Sequence, residues 1–324
     1  MAIPARSNRR QLPRGNGSFL KNISLKRFTS RKLFRSLLIC LFFIAIIPPI
    51  FFHFKLRRFR QMQQKKCAWL SNPPLVCAHG GDSTSAFPNT MSAYNSALRS
   101  QVECIEIDVS RSSDGVLFAL HDRDLQRISG NDSSKVGYLS MEEIKELKAA
   151  STDRKGETIP TVEDALKMIS SSVQLVILDA KVGPPSYEKG LAKDILDVIE
   201  GMQCKNCIVW AKSDSLVRDI MKLSSNTSVG YIVMEDPSTG ARTNLLRMRG
   251  ATVVGIYHPL VEDKVLKVLH RRKKKVYAWT VDDEDSMEKM LFQHVDGVVT
   301  SNPTLFQRVM SDTRTQCLED GFSL

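Results

Sequence analysis

Nine short apolar runs, most of them separated by helix-like stretches, constrain this chain more than any other feature. They are LVCAH (75–79), CIEIDV (104–109), VLFALH (116–121), LVILDA (175–180), CIVWAK (207–212), VGYIVM (229–234), TVVGIY (252–257), VYAWTV (276–281) and DGVVTS (296–301). The intervening segments include YEKGLAKDILDVIEGM and EDSMEKMLFQ, which alternate apolar and charged residues at helical spacing. Strand alternating with helix implies an α/β fold with a parallel sheet covered on both faces. Roughly 240 residues in such units approach the ~250 of a (β/α)8 TIM barrel. A doubly wound open sheet is the rival, but its Gly-x-Gly-x-x-Gly after the first strand is missing.

Nine strands is one too many for that barrel. Only residues 110–115 separate the second run from the third, and Asp114-Gly115 is a turn dipeptide. A parallel crossover needs a dozen or more residues, so these two runs must pair antiparallel or bend apart. The expected architecture is therefore a barrel with 116–121 as a hairpin excursion and 116–173 as a rim insertion. Within the insertion, Thr161 and Asp164 suit a capping box after Pro160.

Charge is distributed unevenly. Of 46 Lys and Arg, 16 lie in residues 1–81, where no Asp or Glu occurs. The rest of the chain carries 30 basic residues against 35 acids, so the net +11 belongs to the first quarter. No basic stripe with interleaved aromatics appears in the folded part, which argues against a nucleic-acid partner. Residues 36–54 (SLLICLFFIAIIPPIFFHF) run 19 positions without a charge, close to the ~20 that cross a hydrocarbon core. Pro48, Pro49 and His53 weaken this run as a uniform helix. A cleaved signal would be shorter, nearer the terminus and followed by a small-residue site. The expectation is a single-pass anchor, with an organellar transit peptide as the alternative.

The layout is a basic tail (1–35), a transmembrane anchor (36–54), a basic linker (55–72), the barrel (73–315) and a short tail (316–324). Basic residues within 15 positions of the span number six on either side, so the positive-inside rule favours a cytosolic N-terminus only by the ten against six of the whole flanks. Sequons at Asn131 and Asn226 suit a lumenal or extracellular barrel. Seven cysteines include Cys204-x-x-Cys207, but no second pair completes a zinc site. Cys207 opens a strand, so buried thiols or one lumenal disulfide is the expected state.

The chemistry begins in CIEIDV. Residues i and i+2 share one face of a strand, so Glu106 and Asp108 face together while Ile105, Ile107 and Val109 face away. That places two carboxylates inside the barrel at a strand's C-terminal end, where barrel enzymes keep their active sites. Two such acids repel and resist desolvation unless a cation or proton sits between them. Ca2+ or Mg2+ takes such oxygen ligands; a solvated strand end or pairing with Arg or Lys is the plainer alternative. Similar positions recur at other strand ends. His79 precedes Gly80-Gly81, a turn with room for a ligand against the backbone. His121 precedes Asp122, which could orient its imidazole, and Asp179 and Lys181 repeat the i, i+2 relation. Together they offer a metal site, a cation for a phosphate oxygen and an acid/base pair.

CAHGG, FPNTMSAYNSAL, IEIDVSRSSDGVLFALHDRDLQRISG, IPTVEDAL, LDAK, AWTVDD and DGVVTSNP together resemble the glycerophosphodiester phosphodiesterase family over residues 75–310, in a plant-type, membrane-anchored form. The acid-x-acid strand followed by Asp-Gly and His-Asp is the most specific part. The resemblance implies a β/α barrel with a rim insertion and a divalent metal held by Glu106, Asp108 and Asp179. It also implies catalytic histidines at His79 and His121, with Lys181, Trp279 and the Gly80 backbone at the substrate. The reaction implied is metal-assisted hydrolysis of a glycerophosphodiester to sn-glycerol 3-phosphate and an alcohol. One imidazole deprotonates the attacking oxygen and the other protonates the departing one.

The chain departs from the family pattern in several places. Gly80 replaces an arginine, removing a phosphate-side guanidinium, and Pro88 replaces a glutamate. Asp179 replaces a glutamate, and Ser301 stands where the family has an aspartate. A lysophospholipase D acting on single-chain lipids and a barrel that binds diesters without turnover are the competing readings. His258 could border the cleft. His270, His294 and the basic run 270–275 read as a solvated helix surface.

Overall fold

The computed structural model describes residues 30–150, 159–184, 189–236 and 238–322. Two units compose the chain, Met1–Phe59 and Arg60–Leu324. In the first lies most of α1 (Ser30–Cys67), a single helix of 38 residues, about 57 Å long at 1.5 Å per residue. Its apolar stretch reaches a mean hydropathy of 2.5, long and apolar enough to cross a membrane. Pro48 and Pro49 lie inside the helix without ending it. Each removes one backbone donor, but the turns on either side keep theirs.

The second unit runs through β1 (Leu75–His79), α2 (Met91–Arg99), β2 (Cys104–Arg111), β3 (Leu117–Ala119), α3 (Asp122–Ser129), α4 (Met141–Ala150), α5 (Val162–Ile169) and β4 (Leu175–Ala180). It continues with α6 (Leu191–Gly201), β5 (Cys207–Ala211), α7 (Asp214–Leu223), β6 (Ser228–Val233), β7 (Val253–Tyr257), α8 (Asp263–Arg271), β8 (Lys275–Trp279), α9 (Glu284–Gln293), β9 (Gly297–Thr300) and α10 (Pro303–Glu319). Eight parallel strands follow the order β1-β9-β8-β7-β6-β5-β4-β2, and pairing of β1 with β2 closes the ring. The ninth strand, β3, folds back antiparallel on β2 with Val109 opposite Ala119. The short turn at 112–116 thus ejects one strand from the wall, as its length required.

Alternation sorts the two faces. Ile105, Ile107 and Val109 are fully buried against the outer helices, each contributing about 1.5–3 kcal/mol. Cys77, Cys104, Ile177, Ile208, Trp210, Ile232, Val253, Tyr277 and Val299 fill the inside. The insertion has its own small core of Phe118, Leu120, Leu125, Val136 and Ile144. Thr161 and Asp164 form the expected capping box at the start of α5.

Four features differ from the sequence reading. The basic linker is helical through Cys67, and its last turns belong to the barrel unit: Lys65 pairs with Asp263 at 2.8 Å. The C-terminal tail is helical through Glu319, and Cys317 within it bonds Cys67. Closing a loop of 250 residues removes about 5 kcal/mol of unfolded-state entropy in the chain-entropy account. Disulfides also join Cys77 to Cys104 and Cys204 to Cys207, so six of the seven cysteines are paired rather than two. Among the described residues no helix joins β6 to β7. There, Arg247 bonds Asp214 and the Ile232 carbonyl, while the Lys274 ammonium is buried on the carbonyls of Met248 (2.8 Å) and Ala251 (2.6 Å). Lys274 is 5 % exposed, so the basic run at the end of α8 is not wholly a solvated surface. A long side chain can leave the helix end and satisfy loop carbonyls that no helix serves.

Candidate active site

The site lies at the C-terminal ends of β1, β2 and β4. In-register pairing sets His79 beside Glu106 and Asp108 beside Asp179. Donor atoms of His79, Glu106 and Asp108 all fall within 4.8 Å of one another. Both carboxylates are buried, each 1 % exposed. Such a trio of oxygen and nitrogen donors can hold a divalent cation.

Local backbone geometry orients each acid. Gly80 adopts φ +61°, and a Cβ there would sit 3.0 Å from Pro88 Cβ and 3.1 Å from the Asn89 nitrogen. Its N–H donates to Glu106 Oε2 at 3.1 Å. Gly81, at φ +88°, lets the Ala93 backbone approach to where a Cβ would meet it at 2.6 Å. Asn89 takes the left-handed conformation too. Its side chain donates to Asp108 Oδ2 (2.9 Å) and accepts from the Asp108 N–H (3.1 Å), clamping that residue at both ends. Tyr94 donates its hydroxyl to Asn89 Oδ1 at 3.3 Å.

Electrostatics divide the acids. Burial, then Asp108, pushes the Glu106 carboxyl well above its usual range. Burial also opposes ionisation of Asp108, but Lys181 beside it prevails and holds the carboxyl well below. Lys181 Nζ lies 2.6 Å from Asp108 Oδ1 and also contacts Asp179. Burial pulls its ammonium down, yet Asp108, Asp179 and Glu106 outweigh that and raise it. Asp179 stands outside the three-residue cluster, paired with Lys181 through one oxygen. Its Oδ1 is buried without a hydrogen-bond partner.

Both imidazoles are held by neighbours. His121 caps α3 by accepting the Arg123 N–H at Nδ1, 3.1 Å away. Asp122, expected to orient this ring, instead accepts from the Val136 N–H and pairs with Lys135. It belongs to the helix's first turn, so its carboxylate turns toward the insertion. Burial lowers the His121 pKa to about 4, and burial also lowers that of His79. Ser301 Oγ lies 3.5 Å from His79 Nδ1 and donates to Asp282 Oδ2 at 3.1 Å. The Asp282 carboxylate also accepts from the Ser301 N–H at 2.7 Å and from Thr300 Oγ1.

Two chambers open on these groups. The inner, about 60 Å³, is lined by His79, Glu106, Arg123, Trp210 and Trp279 among others. An outer chamber of about 320 Å³ shares His121, Asp179, Lys181 and Lys212 with it. Trp279 packs against Tyr257 at 5.6 Å, and its indole nitrogen is buried without a partner. His258 lines neither chamber; its ring lies against Tyr257. His270 bonds Asp296 and His294 bonds the Lys65 carbonyl, both away from these chambers.

His79, Glu106, His121, Asp179, Lys181 and Trp279 thus line one chamber, with Gly80 and Asp108 bonded to Glu106 and Lys181 behind it, while His258 stays outside. Sequence reasoning passed over Asn89, Arg123, Lys212 and Asp282 as side chains of the site and named Ser301 only as a departure from the family pattern. The Arg123 guanidinium stands 3.9 Å from Asp108, at the mouth where Gly80 left an arginine missing. Lys212 follows β5 as Lys181 follows β4, and the strand-end rule could have found it.

Comparison with known proteins gives concordant results. Residues 79–305 match the sequence model of the glycerophosphoryl diester phosphodiesterase family. The chain is 63% identical over 298 residues to glycerophosphodiester phosphodiesterase GDPD4 of Arabidopsis thaliana, covering 91% of each. A glycerophosphodiester phosphodiesterase of Caldanaerobacter subterraneus is 28% identical over 236 residues, 71% of this chain and 94% of that one. Among solved structures, an Oleispira antarctica phosphodiesterase in complex with the product sn-glycerol-3-phosphate aligns with TM-score 0.60 at 22% identity, over 75% of this chain and 99% of that one. A glycerophosphodiester phosphodiesterase from Parabacteroides distasonis aligns with TM-score 0.62 at 20% identity, over 74% and 98%. These two likenesses bear on the fold.

Proposed function

Because this chain belongs to the glycerophosphoryl diester phosphodiesterase family, we propose that it hydrolyses glycerophosphodiesters to sn-glycerol 3-phosphate and an alcohol, with a divalent cation at the acids and His79 and His121 moving the protons. One observation carries the reading: His79, Glu106 and Asp108 converge within 4.8 Å in a mouth that also holds His121 and Lys181.

The residues fit a cation. Glu106 and Asp108 are buried and repel each other, and Asp179 keeps a buried oxygen without a partner. Glu106, Asp108 and Asp179 would hold Ca2+ or Mg2+ through oxygen. An ion held there would supply positive charge to the non-bridging phosphate oxygens as their charge develops.

The chain's own groups supply the rest. Lys181, kept charged by Asp108 and Asp179, stabilises the same oxygens, and Arg123 provides the guanidinium that Gly80 does not. Burial favours the neutral form of both imidazoles, so one can accept the proton of the attacking water or substrate hydroxyl. The other must first take up a proton, as imidazolium, and then passes it to the departing alcohol. Asp282 and Ser301 orient His79, and the Arg123 N–H orients His121. The outer chamber mixes charged Arg111, Lys181 and Lys212 with apolar Val136, Val182 and Leu191, and its charged side supports a water-soluble diester.

Residues 36–54 anchor the enzyme in a membrane, with the barrel on the lumenal or extracellular side. Three disulfides and the exposed Asn131 and Asn226 support that side. Full-length protein in detergent, given glycerophosphodiesters, should release sn-glycerol 3-phosphate. Failure to cleave any diester would leave the binding-only barrel as the better reading.

A further inference from the structure

The two chambers meet at His121, Asp179, Lys181 and Lys212. A diester whose phosphate sits at that shared ridge therefore sends one arm into each chamber. Recognition of a quaternary ammonium arm needs an aromatic cage or an unpaired carboxylate. Neither stands ready. Among the described residues of the outer chamber there is no Trp, Tyr or Phe, and its acids Asp122 and Asp179 already pair with Lys135 and Lys181. In the inner chamber, Glu106 is one of the acids assigned to the cation, the Trp210 ring already packs on Tyr277 with centroids 6.5 Å apart, and the Trp279 ring has the Lys212 ammonium 5.7 Å from its centroid. Arg123, Lys181 and Lys212 all line this space. Lys181 is already paired with Asp108 and Asp179, and Arg123 leans toward Asp108. Lys212 makes no hydrogen bond or ion pair with any described residue, so its charge faces whatever enters. Ser110 lines the outer wall, where a hydroxyl suits the hydrogen-bonding of a polyol, whereas Ser213 beside it already caps α7.

Resting on the phosphodiesterase reading, we propose that the site selects diesters whose alcohol arm is a neutral or anionic polyol, that it disfavours a quaternary ammonium arm, and that Lys212 is the selecting residue. An ammonium at the ridge repels a trimethylammonium arm and accepts hydroxyl or anionic oxygens. Charge complementarity of this kind acts on discrimination more than on the chemical step.

The test compares kcat/KM for glycerophosphoinositol, glycerophosphoglycerol and glycerophosphocholine in the full-length enzyme and in its Lys212→Gln and Lys212→Glu variants. The wild type should favour both polyol diesters over the choline diester by about tenfold or more. Lys212→Gln should shrink that ratio, and Lys212→Glu should shrink it further or invert it, chiefly through KM. Because each ratio is taken within one protein, partial loss of folded enzyme cancels. Calorimetric binding of inositol 1-phosphate and phosphocholine provides a readout that does not depend on turnover, and the former should bind more tightly. A wild-type preference for the choline diester, or a ratio unmoved in Lys212→Glu, would overturn the proposal. If no diester is cleaved, the hydrolase reading fails, and the binding order of the two phosphoesters still decides the selection.

Discussion

The inner faces of the two halves of the barrel are built on opposite terms. On one side, β1, β2 and β4 end in His79, Glu106, Asp108, Asp179 and Lys181, a continuous ionic arc. On the other, β5, β6, β8 and β9 present Trp210, Ile232, Tyr277, Trp279 and Val299. The ionic arc is costly to bury, and every member is held by a neighbour: Gly80 on Glu106, Asn89 on Asp108, Lys181 between Asp108 and Asp179. In the apolar arc, Trp210 and Tyr277 pack with centroids 6.5 Å apart. Space for them comes from residues without side chains: a Cβ on Gly255 would meet Trp210 at 2.9 Å, and one on Gly297 would meet Tyr277 at 2.7 Å. Chemistry and filling are thereby separated around one ring. Substitutions on the ionic arc should register chiefly in turnover and those on the apolar arc in stability, with Trp279, which also lines the inner chamber, registering in both.

The sharpest break of that contrast is removal of an imidazole. His79→Ala and His121→Ala should each lower kcat/KM by about 10²–10⁴-fold while leaving the melting temperature little changed. Retained activity in both variants would end the two-histidine assignment. Metal content measured on His79→Ala sharpens it: an unchanged stoichiometry marks His79 as a proton carrier, and a lost ion marks it as a ligand.

On the apolar arc, Trp210→Ala should cost about 3–5 kcal/mol of stability in denaturant unfolding. Trp210→Phe should cost less. A neutral Trp210→Ala would mean that the apolar half does not hold the barrel together. A smaller structural effect belongs to Lys274. Lys274→Met leaves two loop carbonyls without their donor and should destabilise by about 1–3 kcal/mol, with full activity in the molecules that remain folded.

The mildest effect is on pH dependence. Burial holds both imidazoles below their usual value, His121 at about 4. Protonation that disables the base therefore comes at lower pH than for a solvated histidine. The acid limb of kcat/KM, set by the base, should be centred below pH 6.5, and the alkaline limb, set by the acid's loss of its proton, should be displaced downward as well. A limb centred at 6.5 would show that the two rings are solvated.

The same contrast governs what could be read from sequence. Strand periodicity reports the facing of side chains, so Glu106 and Asp108 were legible as an inward pair and 116–121 as a hairpin. Thr161 and Asp164 were legible because a capping box is local. Pairings across the ring are not written in any window. That Lys181 sits between Asp108 and Asp179 depends on the β2–β4 register. The positive φ of Asn89 goes with its N–H donating to the Gly80 carbonyl at 2.7 Å and its side chain clamping Asp108, contacts that no window shows. Arg123 reaches the mouth only because the rim hairpin folds back over it. Cys67 and Cys317, separated by 250 residues, meet because α10 closes the barrel beside the end of α1. Lys274 looked solvated because its neighbours in sequence are basic, whereas its partners are carbonyls at 248 and 251.

The central claim, that the ionic arc is a cation site serving phosphodiester cleavage, has a direct test. Enzyme stripped with EDTA should bind Ca2+ or Mg2+ with about one equivalent by calorimetry and regain hydrolysis in proportion to occupancy. Glu106→Gln and Asp108→Asn should lose both together. Full turnover by metal-free enzyme, or undiminished binding and hydrolysis in both variants, would contradict it.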